Sequence, residues 1–392
     1  MSEDRLRIGF IPLCDAAALM VAVDRGFTKA EGLDVELVRE ISWSNVRDKL
    51  NIGIFDAAHL LAPVAIASSL GLGHVKVPIV APLVLGVNGN AITVSPGLHA
   101  ALAAAADGDI AAPLVSARAL ARVALERKRK GEEPLIFGMT FPFSSHNYLL
   151  RFWMAAGGVD PEEDVRLVVL PPPYMVESLA SKQVDAFCVG APWNAVAVDL
   201  GVGCILHFGS EILARATEKL LAVRSRWAQE HAETLTRLVR AHRRAGAFVE
   251  DTANRDEVSA ILSAPNRVGV AAEVVRRTLD GRVRIDPGGT VRSSDRYLLV
   301  GRKGAGRPDA VQAAWLYAQM LRWGQAPLSA EMLAGAKAVF RPDLFDAAPD
   351  DGAPDLAGEP ADGIGAFAGP AFDANDIAGY LAACRTTPLA GS

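Results

Sequence analysis

The sequence contains few cysteines and lacks the patterns typical of catalytic or metal-binding proteins. Its four cysteines lie far apart, at positions 14, 188, 204 and 384, and no two form a Cys-x-x-Cys pair. This spacing argues against a disulfide framework and against a zinc site, and it is typical of a reducing compartment. Gly-x-Ser-x-Gly, His-Glu-x-x-His and phosphate-loop motifs are also missing. We therefore expect a protein that is not an enzyme and that uses neither a cofactor nor a metal.

The chain also lacks an excess of basic residues. Forty Lys and Arg residues stand against 45 Asp and Glu residues, which gives a formal net charge of −5. Proteins that bind DNA or RNA usually carry a basic surface, so direct nucleic-acid binding is not expected. The 392 residues are 51% hydrophobic and 22% charged. Such a chain can bury a large core, and its length predicts two or three folding units.

Neither a secretory signal nor a membrane span is predicted. A signal peptide needs a basic start and an apolar stretch of about 7–15 residues, whereas residues 1–5 lead directly into a predicted strand at residues 6–11. Residues 77–106 carry no Asp, Glu, Lys or Arg, but several prolines and an Asn-Gly turn interrupt them. Buried strands and turns are therefore favoured over a transmembrane helix. We expect a cytoplasmic protein that does not contact a membrane.

Strands alternate with helices along the first half of the chain, which predicts an α/β fold with a mostly parallel sheet. A second cycle of strands and helices starts near residue 135, and the chain becomes mainly helical after residue 219. This organisation predicts a first part of lobe I at residues 1–112, lobe II at 113–212, a return to lobe I with a helical C-terminal part at 213–345, and an irregular tail at 346–392 with a short docking helix.

An internal repeat supports two lobes of like topology. Residues 50–58 and 179–187 each contain an apolar start, a turn and an Asp-Ala pair, and Asp56 and Asp185 are 129 positions apart. Ligands of open α/β sheets bind at the carboxyl ends of the strands, so the loops after both repeats are expected to face a shared cleft. The two aspartates themselves are expected to cap turns.

A first candidate for that cleft lies at the start of a predicted helix, in residues 42–49. Ser42 or Ser44 can cap this helix, whose free N–H groups then attract anions. Trp43, beside the cap, offers a flat face and one N–H donor. A core tryptophan next to an ordinary helix cap is an equally good interpretation.

A second junction of the same kind lies in residues 141–153. Ser144 or Ser145 can cap a helix there, which places His146 in its first turn at the mouth of the cleft. The imidazole can donate to an anion. A structural role for this histidine is as well supported by the sequence alone.

Further candidates follow the second Asp-Ala repeat. Gly190 allows the backbone to approach a ligand closely, and Trp193 is either a wall of the cleft or part of the core. Lys219 would favour an anion if it entered the cleft, although a lone lysine is usually solvated. Because these candidates include no cluster of carboxylates, the cleft is expected to suit a small anion rather than a divalent cation.

Five motifs, in order, resemble the nitrate/bicarbonate substrate-binding proteins of ABC transporters, the NrtA/CmpA family. The motifs are residues 41–50, 56–63, 88–95, 141–153 and 185–194. The similarity runs from roughly residue 5 to roughly residue 345, and residues 372–380 also look familial. The resemblance implies a two-lobed, type II periplasmic-binding-protein-like fold that closes on nitrate in a cleft between the lobes.

The resemblance also implies which residues bind the ligand. The nitrate contacts of the transport members would map to Trp43, Asn90, His146, Gly190 and Lys219. Two positions depart from the family pattern, because Asn90 stands where glutamine is frequent and Ala191 replaces the usual glutamate. Histidine and lysine at positions 146 and 219 fit nitrate better than bicarbonate with calcium.

Without an expected leader, the chain most resembles the NasS-type cytoplasmic sensors of nitrate and nitrite. Members of this type hold a NasT-like antiterminator, an RNA-binding protein of the ANTAR class, and release it on ligand binding to control nitrate-assimilation genes. The alternative is the substrate-binding component of a nitrate ABC transporter that lacks its leader. An enzyme on the same scaffold, such as a thiamine-pyrimidine synthase, would need an active site rich in cysteine and histidine.

Overall fold

The computed structural model describes residues 4–349 and 363–385. Within these residues the strands are β1 (Asp4–Phe10), β2 (Leu33–Arg39), β3 (Ala57–Leu61), β4 (Ile79–Asn88), β5 (Asn90–Val94), β6 (Leu135–Met139), β7 (Val165–Val169), β8 (Ala186–Gly190), β9 (Cys204–Phe208), β10 (Thr217–Arg224), β11 (Arg282–Arg284), β12 (Val291–Ser293) and β13 (Leu298–Leu299). The α-helices are α1 (Ala17–Asp24), α2 (Phe27–Ala30), α3 (Trp43–Asn51), α4 (Ala62–Leu70), α5 (Pro96–Ala105), α6 (Pro113–Lys130), α7 (Ser145–Gly157), α8 (Met175–Ala180), α9 (Trp193–Asp199), α10 (Gly209–Ile212), α11 (Ser225–Glu230), α12 (Ala232–Glu250), α13 (Arg255–Ser263), α14 (Ala272–Leu279), α15 (Ala310–Arg322), α16 (Ala330–Val339), α17 (Pro342–Asp346) and α18 (Ile377–Arg385).

Two mixed sheets form the cores of two lobes. The sheet of lobe I has the order β13-β4-β10-β3-β1-β2, and the sheet of lobe II has the order β7-β6-β8-β5-β9. β1 pairs in parallel with β2 and β3, and β6 pairs in parallel with β7 and β8. The other pairs in both sheets are antiparallel. The expectation of mostly parallel sheet is thus wrong, because strands that enter from the opposite lobe run against their neighbours.

Within residues 4–349, the chain passes from one sheet to the other twice. β4 ends at Asn88 in one sheet and β5 begins at Asn90 in the other. Asn88 and Gly89 have φ angles of 59° and 84°, a left-handed conformation that suits Asn and Gly and turns the backbone here. The second crossing lies between β9 and β10. The first crossing therefore lies before residue 112, where the sequence predicts the boundary between lobes I and II. Two apolar strands joined by Asn-Gly have the same sequence pattern whether they pair as a hairpin or enter different sheets.

The internal repeat is confirmed by equivalent hydrogen bonds in the two lobes. Asp56 accepts from the N–H of Arg7 at 2.9 Å, and Asp185 accepts from the N–H of Ile136 at 2.8 Å. Arg7 and Ile136 are also 129 positions apart. Each aspartate therefore joins the turn before one central strand to the neighbouring parallel strand, which is a link between strands rather than the turn cap that the sequence predicts.

The uncharged stretch at residues 77–106 forms β4, β5 and α5, as predicted. Across residues 4–349 and 363–385, no helix combines the length and the apolar character that a membrane span requires.

The last third of the described chain is mainly helical. α15 lies beside α4 and α16, and α18 packs on α15 through Ile377 and Tyr380 against Ala314 and Ala318. Residues 350–362 and 386–392 of the expected irregular tail lie outside the described residues. The C-terminal segment thus returns to lobe I, where it covers the outer face of α15.

Candidate functional site

Two helices begin at the cleft with serine caps. Ser42 Oγ accepts from the backbone N–H three residues on, at 3.3 Å, at the start of α3. Ser144 Oγ does the same at 3.1 Å at the start of α7. The first serine of each predicted pair is therefore the cap. Trp43 and His146 consequently lie in first helical turns, where unpaired backbone N–H groups give a positive end.

The five residues that the resemblance assigns to the ligand lie together between the two sheets. Trp43 and Lys219 belong to lobe I, whereas Asn90, His146 and Gly190 belong to lobe II. Asn90 lies directly opposite Gly190 in the pairing of β5 with β8. The four side chains are at most 1% exposed. Contributions from both lobes to one buried cluster are what a ligand site between lobes requires.

Lys219 is wholly buried and paired with two carboxylates that the sequence reasoning missed. Its Nζ lies 3.0 Å from Asp15 Oδ2 and 2.9 Å from Glu218 Oε2. Of the two interpretations of this lysine, the solvated one is therefore excluded. The expectation of a site without clustered carboxylates is wrong. A buried ammonium needs opposite charges around it because leaving water is costly. Asp15 does follow the carboxyl end of β1, a position from which it could have been proposed.

His59 is a further residue of the cluster. Its Nε2 lies 2.9 Å from Asp15 Oδ1, and its Nδ1 accepts from the N–H of Ile11 at 3.5 Å. The imidazole is therefore neutral with its proton on Nε2, which donates to the carboxylate. His59 also contacts Trp43, with ring centroids 5.4 Å apart. It holds Asp15 toward Lys219 from β3.

Glu218 connects the two lobes. Its Oε1 accepts from Asn90 Nδ2, and its Oε2 lies 2.9 Å from Lys219 Nζ and 3.4 Å from His146 Nε2. Three of the five assigned ligand residues thus converge on this one carboxylate. A carboxylate and a planar oxyanion both present oxygen acceptors in one plane, so the same donors can bind either.

The charges of the cluster follow from burial and from these contacts. Burial favours a neutral Asp15, but Lys219 and His59 outweigh it and hold the pKa of Asp15 well below its usual value. Burial likewise opposes the charge of Lys219, while Asp15 and Glu218 raise its pKa. Burial lowers the pKa of His59, and it lowers that of His146 to about 4. The oxygens of Glu218 face three donors, as a carboxylate requires. Two carboxylates and one ammonium therefore leave one negative charge in excess.

Two buried donors of the cluster make no hydrogen bond. They are Trp43 Nε1 and His146 Nε2. Thr140 Oγ1 lies 3.0 Å from His146 Nδ1, so a hydroxyl that donates to Nδ1 leaves the proton on Nε2. A buried donor without a partner costs about 1–3 kcal/mol. Both groups are therefore available to an acceptor that enters the cluster.

Backbone contacts hold the lobes together beside the cluster. Cys14 N–H donates to the carbonyl of Ala191 at 2.8 Å, and Trp193 Nε1 donates to the carbonyl of Pro12 at 3.2 Å. Ala191 also donates to the carbonyl of Gly89 at 2.7 Å. Trp193 therefore bridges the lobes, and Ala191 acts through its backbone, at the position where the family pattern has glutamate. The closed cleft encloses the cluster from both sides.

Comparison with known proteins places this geometry in a family. The profile of the NMT1-like family matches residues 2–263. The chain is 30% identical over 346 residues to the nitrate/nitrite binding protein NrtA of Synechococcus elongatus, with 86% of this chain and 76% of that protein covered. It is 32% identical over 387 residues to the nitrate import ATP-binding protein NrtC of Synechocystis, with 97% of this chain covered but only 55% of that larger protein.

A solved structure agrees with the sequence relatives. The periplasmic nitrate-binding protein NrtA from Synechocystis PCC 6803 superposes with a TM-score of 0.84 at 28% identity, over 97% of this chain and 98% of that one. The expected two-lobed, type II periplasmic-binding-protein-like fold is thereby confirmed. The chain belongs to the NMT1-like family and is a homologue of the NrtA substrate-binding proteins.

Proposed function

We propose that this chain binds nitrate and nitrite in the cleft between its lobes, without converting them chemically. The observation that carries this proposal is the buried cluster in which Lys219, Trp43 and His146 supply a cation and two unpaired N–H donors from both lobes. The named ligands of the NrtA homologues support the same conclusion.

The donors of the cluster suit such an anion. Nitrate is planar, singly charged and weakly hydrated, so a few donors and one cation can replace its water shell. Lys219 supplies the charge, and Trp43 Nε1 and His146 Nε2 supply directed donors. The helix ends at Trp43 and His146 add partial positive charge toward the same space. The flat Trp43 ring, which lies 5.4 Å from Lys219 Nζ, can pack against a planar ligand.

Calorimetric titration with nitrate, nitrite and bicarbonate, each with and without calcium, tests the ligand. We expect saturable binding of nitrate and nitrite that calcium does not change, and no binding of bicarbonate. Binding of bicarbonate alone, or binding that requires calcium, would contradict the proposal.

The role of Lys219 is tested by Lys219→Glu. The substitution places three carboxylates together and replaces attraction by repulsion inside the closed cleft, so nitrate binding should be abolished. The matched control is Lys130→Glu, which makes the same change of charge at an exposed position of α6. There the lysine forms an ion pair with Glu126. This control should bind like the wild type. Thermal unfolding of both variants shows that each is folded, and unchanged affinity in Lys219→Glu would remove the lysine from the site.

We further propose that the protein acts in the cytoplasm as a sensor that holds a NasT-like ANTAR antiterminator until nitrate or nitrite binds. The motif resemblance supports this role, and so does a cluster that joins two lobes, because a ligand between lobes favours the closed form. Nitrate then lowers the affinity of a partner that prefers the open form. A coupling free energy of about 3 kcal/mol lowers this affinity roughly a hundredfold. The partner surface should span both lobes or the crossings.

Gel filtration with the ANTAR partner, with and without millimolar nitrate, tests the sensor role. We expect a complex that dissociates when nitrate is added. A complex that survives saturating nitrate and nitrite would contradict the sensor. Binding of nitrate without any complex would support the alternative, a substrate-binding component of a nitrate ABC transporter, which the import proteins among the relatives favour.

A further inference from the structure

Glu218 lies where the donors of the cluster converge. Its side chain is 0% exposed, and its two oxygens face Asn90 Nδ2, Lys219 Nζ and His146 Nε2. These are three of the five residues assigned to the anion. A bound anion must therefore share these donors with the carboxylate or displace it.

We propose that Glu218 makes anion binding depend on a proton, so that the Glu218–His146 pair takes up one proton from solvent for each nitrate bound. This inference rests on the proposed nitrate binding and deepens it. The proton adds to a Glu218 carboxylate oxygen or to the imidazole that faces it, and no bond of the nitrate is made or broken.

The charges that face Glu218 come from every element packed around it. Lys219 lies beside it on β10, Asp15 follows β1, and His59 lies on β3 behind Asp15. His146 faces it from α7. From β8, the Cys188 thiol is neutral, because burial and then Glu218 raise its pKa. Lys219 is thus the one cation among these groups, and it is already shared between two carboxylates.

The charge balance makes proton uptake favourable. The empty cluster holds one negative charge in excess, and nitrate, a very weak base that brings no proton, would add a second inside a buried site. Placing two negative charges together in a site without water costs free energy. One proton on the Glu218–His146 pair restores the original balance. It also frees Lys219 from Glu218, and it provides an O–H or N–H donor that faces the bound anion.

The geometry of the pair supports a shared proton. His146 Nε2 lies 3.4 Å from Glu218 Oε2 and makes no other hydrogen bond. A proton added to the imidazole goes to Nδ1, beside Thr140 Oγ1, and leaves the Nε2 proton facing the carboxylate. A proton added to Glu218 instead pairs with the other tautomer, in which Nδ1–H donates to Thr140 Oγ1 and Nε2 accepts from the new O–H. Burial lowers the pKa of His146 to about 4 in the empty site, so its imidazole is neutral there at neutral pH.

The test uses nitrate titrations of the full chain from pH 5.5 to pH 8.5 with Glu218→Gln as the variant. In the wild type, uptake of one proton raises the nitrate Kd roughly tenfold for each pH unit. Glu218→Gln removes the excess charge without a proton, so its Kd should be lower at pH 8.5 and nearly constant with pH. The control is Glu250→Gln, a glutamate of α12 whose side chain is 5% exposed and accepts from Val300 and Arg302 outside the cleft. It should keep the pH slope of the wild type.

A second readout needs no variant. Nitrate binding is measured at pH 7.5 in two buffers that differ in ionisation enthalpy, and the difference in heat gives the number of protons taken up. We expect about one proton per nitrate. Binding with no proton uptake and a constant Kd would overturn this inference and leave the proposed function intact. No binding at any pH, in the wild type and in Glu218→Gln, would overturn both.

Discussion

Lys219 is held inside the protein as part of a network of charges. Moving an ammonium and two carboxylates out of water costs several kcal/mol for each ion, and the ion pairs with Asp15 and Glu218 offset that cost. An incoming anion therefore does not meet an unpaired lysine. It competes with carboxylates, so small changes in their position or protonation should change affinity strongly.

Gly209 sets the position of one donor in this network. A Cβ added to Gly209 would overlap Asn90 Oδ1, which is buried beside it at the second crossing. Gly209→Ala must therefore displace the amide that donates to Glu218. We expect nitrate affinity to fall about tenfold, which is 1.4 kcal/mol, and stability to fall by about 1–3 kcal/mol. Calorimetry and urea unfolding measure the two effects.

Gly97→Ala is the matched control for this substitution. Gly97 lies exposed in the first turn of α5, has no left-handed φ, and an added Cβ would meet nothing within 4 Å. Alanine there should leave nitrate binding unchanged and stabilise the helix by about 0.5–1 kcal/mol. Equal nitrate affinities of the two variants would show that the position of Asn90 does not matter.

Single residues of the site were predictable where a local pattern marks them. Ser42 and Ser144 precede helices after strands, and this pattern alone placed Trp43 and His146 near the cleft. Glu218 has no such marker, and Asp15 has only its position after the carboxyl end of β1. Both residues contact Lys219 only because β10 pairs with β3 in the folded sheet. No neighbouring residue and no spacing in the sequence indicates this strand order. The charge of the site therefore could not be derived from sequence.

At the scale of elements, the alternation of strands and helices sufficed for an α/β fold but not for its sheet order. The repeat around Asp56 and Asp185 predicted equivalent strands correctly because it is encoded locally. β9, β11, β12 and β13 were not predicted. The last three have only two or three residues each, too few for an alternating pattern, and their pairing depends on partners distant in the chain.

Buried histidines make the helices and strands that carry them sensitive to acid. His242 in α12 lies 2.7 Å from the carbonyl of Leu238 through Nδ1, and burial lowers its pKa to about 4 from the usual 6.5. Burial likewise lowers the pKa of His207 in β9 to about 3. The unfolded chain then binds more protons than the folded one between these values and pH 6.5. Stability is therefore complete above pH 6.5 and is lost as the pH falls.

His242→Leu tests this dependence. At pH 4.5 each such histidine should cost about 2–3 kcal/mol of unfolding free energy relative to pH 7.5. The leucine variant should therefore lose less stability over that range than the wild type, by the same amount. Urea unfolding at pH 7.5, 6.0 and 4.5 measures it. Identical pH profiles of variant and wild type would show that His242 does not titrate on unfolding.

At the scale of the whole molecule, the two lobes enclose the cluster. The N–H of Cys14 and the indole of Trp193 join them directly, so ligand exchange requires these bonds to open. The C-terminal segment also contacts the second crossing, where Ala214 N–H donates to the carbonyl of Gly365 at 2.9 Å. Opening must therefore carry this segment along or detach it, which couples the tail to the movement of the lobes.

The central claim is that one planar anion binds at the cluster shared by the two lobes. A crystal structure of the protein grown with nitrate tests it most directly. The account predicts planar density between the lobes, with oxygens within hydrogen-bond distance of Lys219 Nζ, His146 Nε2 and Trp43 Nε1, and with the Glu218 carboxylate moved away from the lysine or bonded to the anion. Nitrate bound elsewhere, with Glu218 still held by Asn90 and Lys219, would contradict the account.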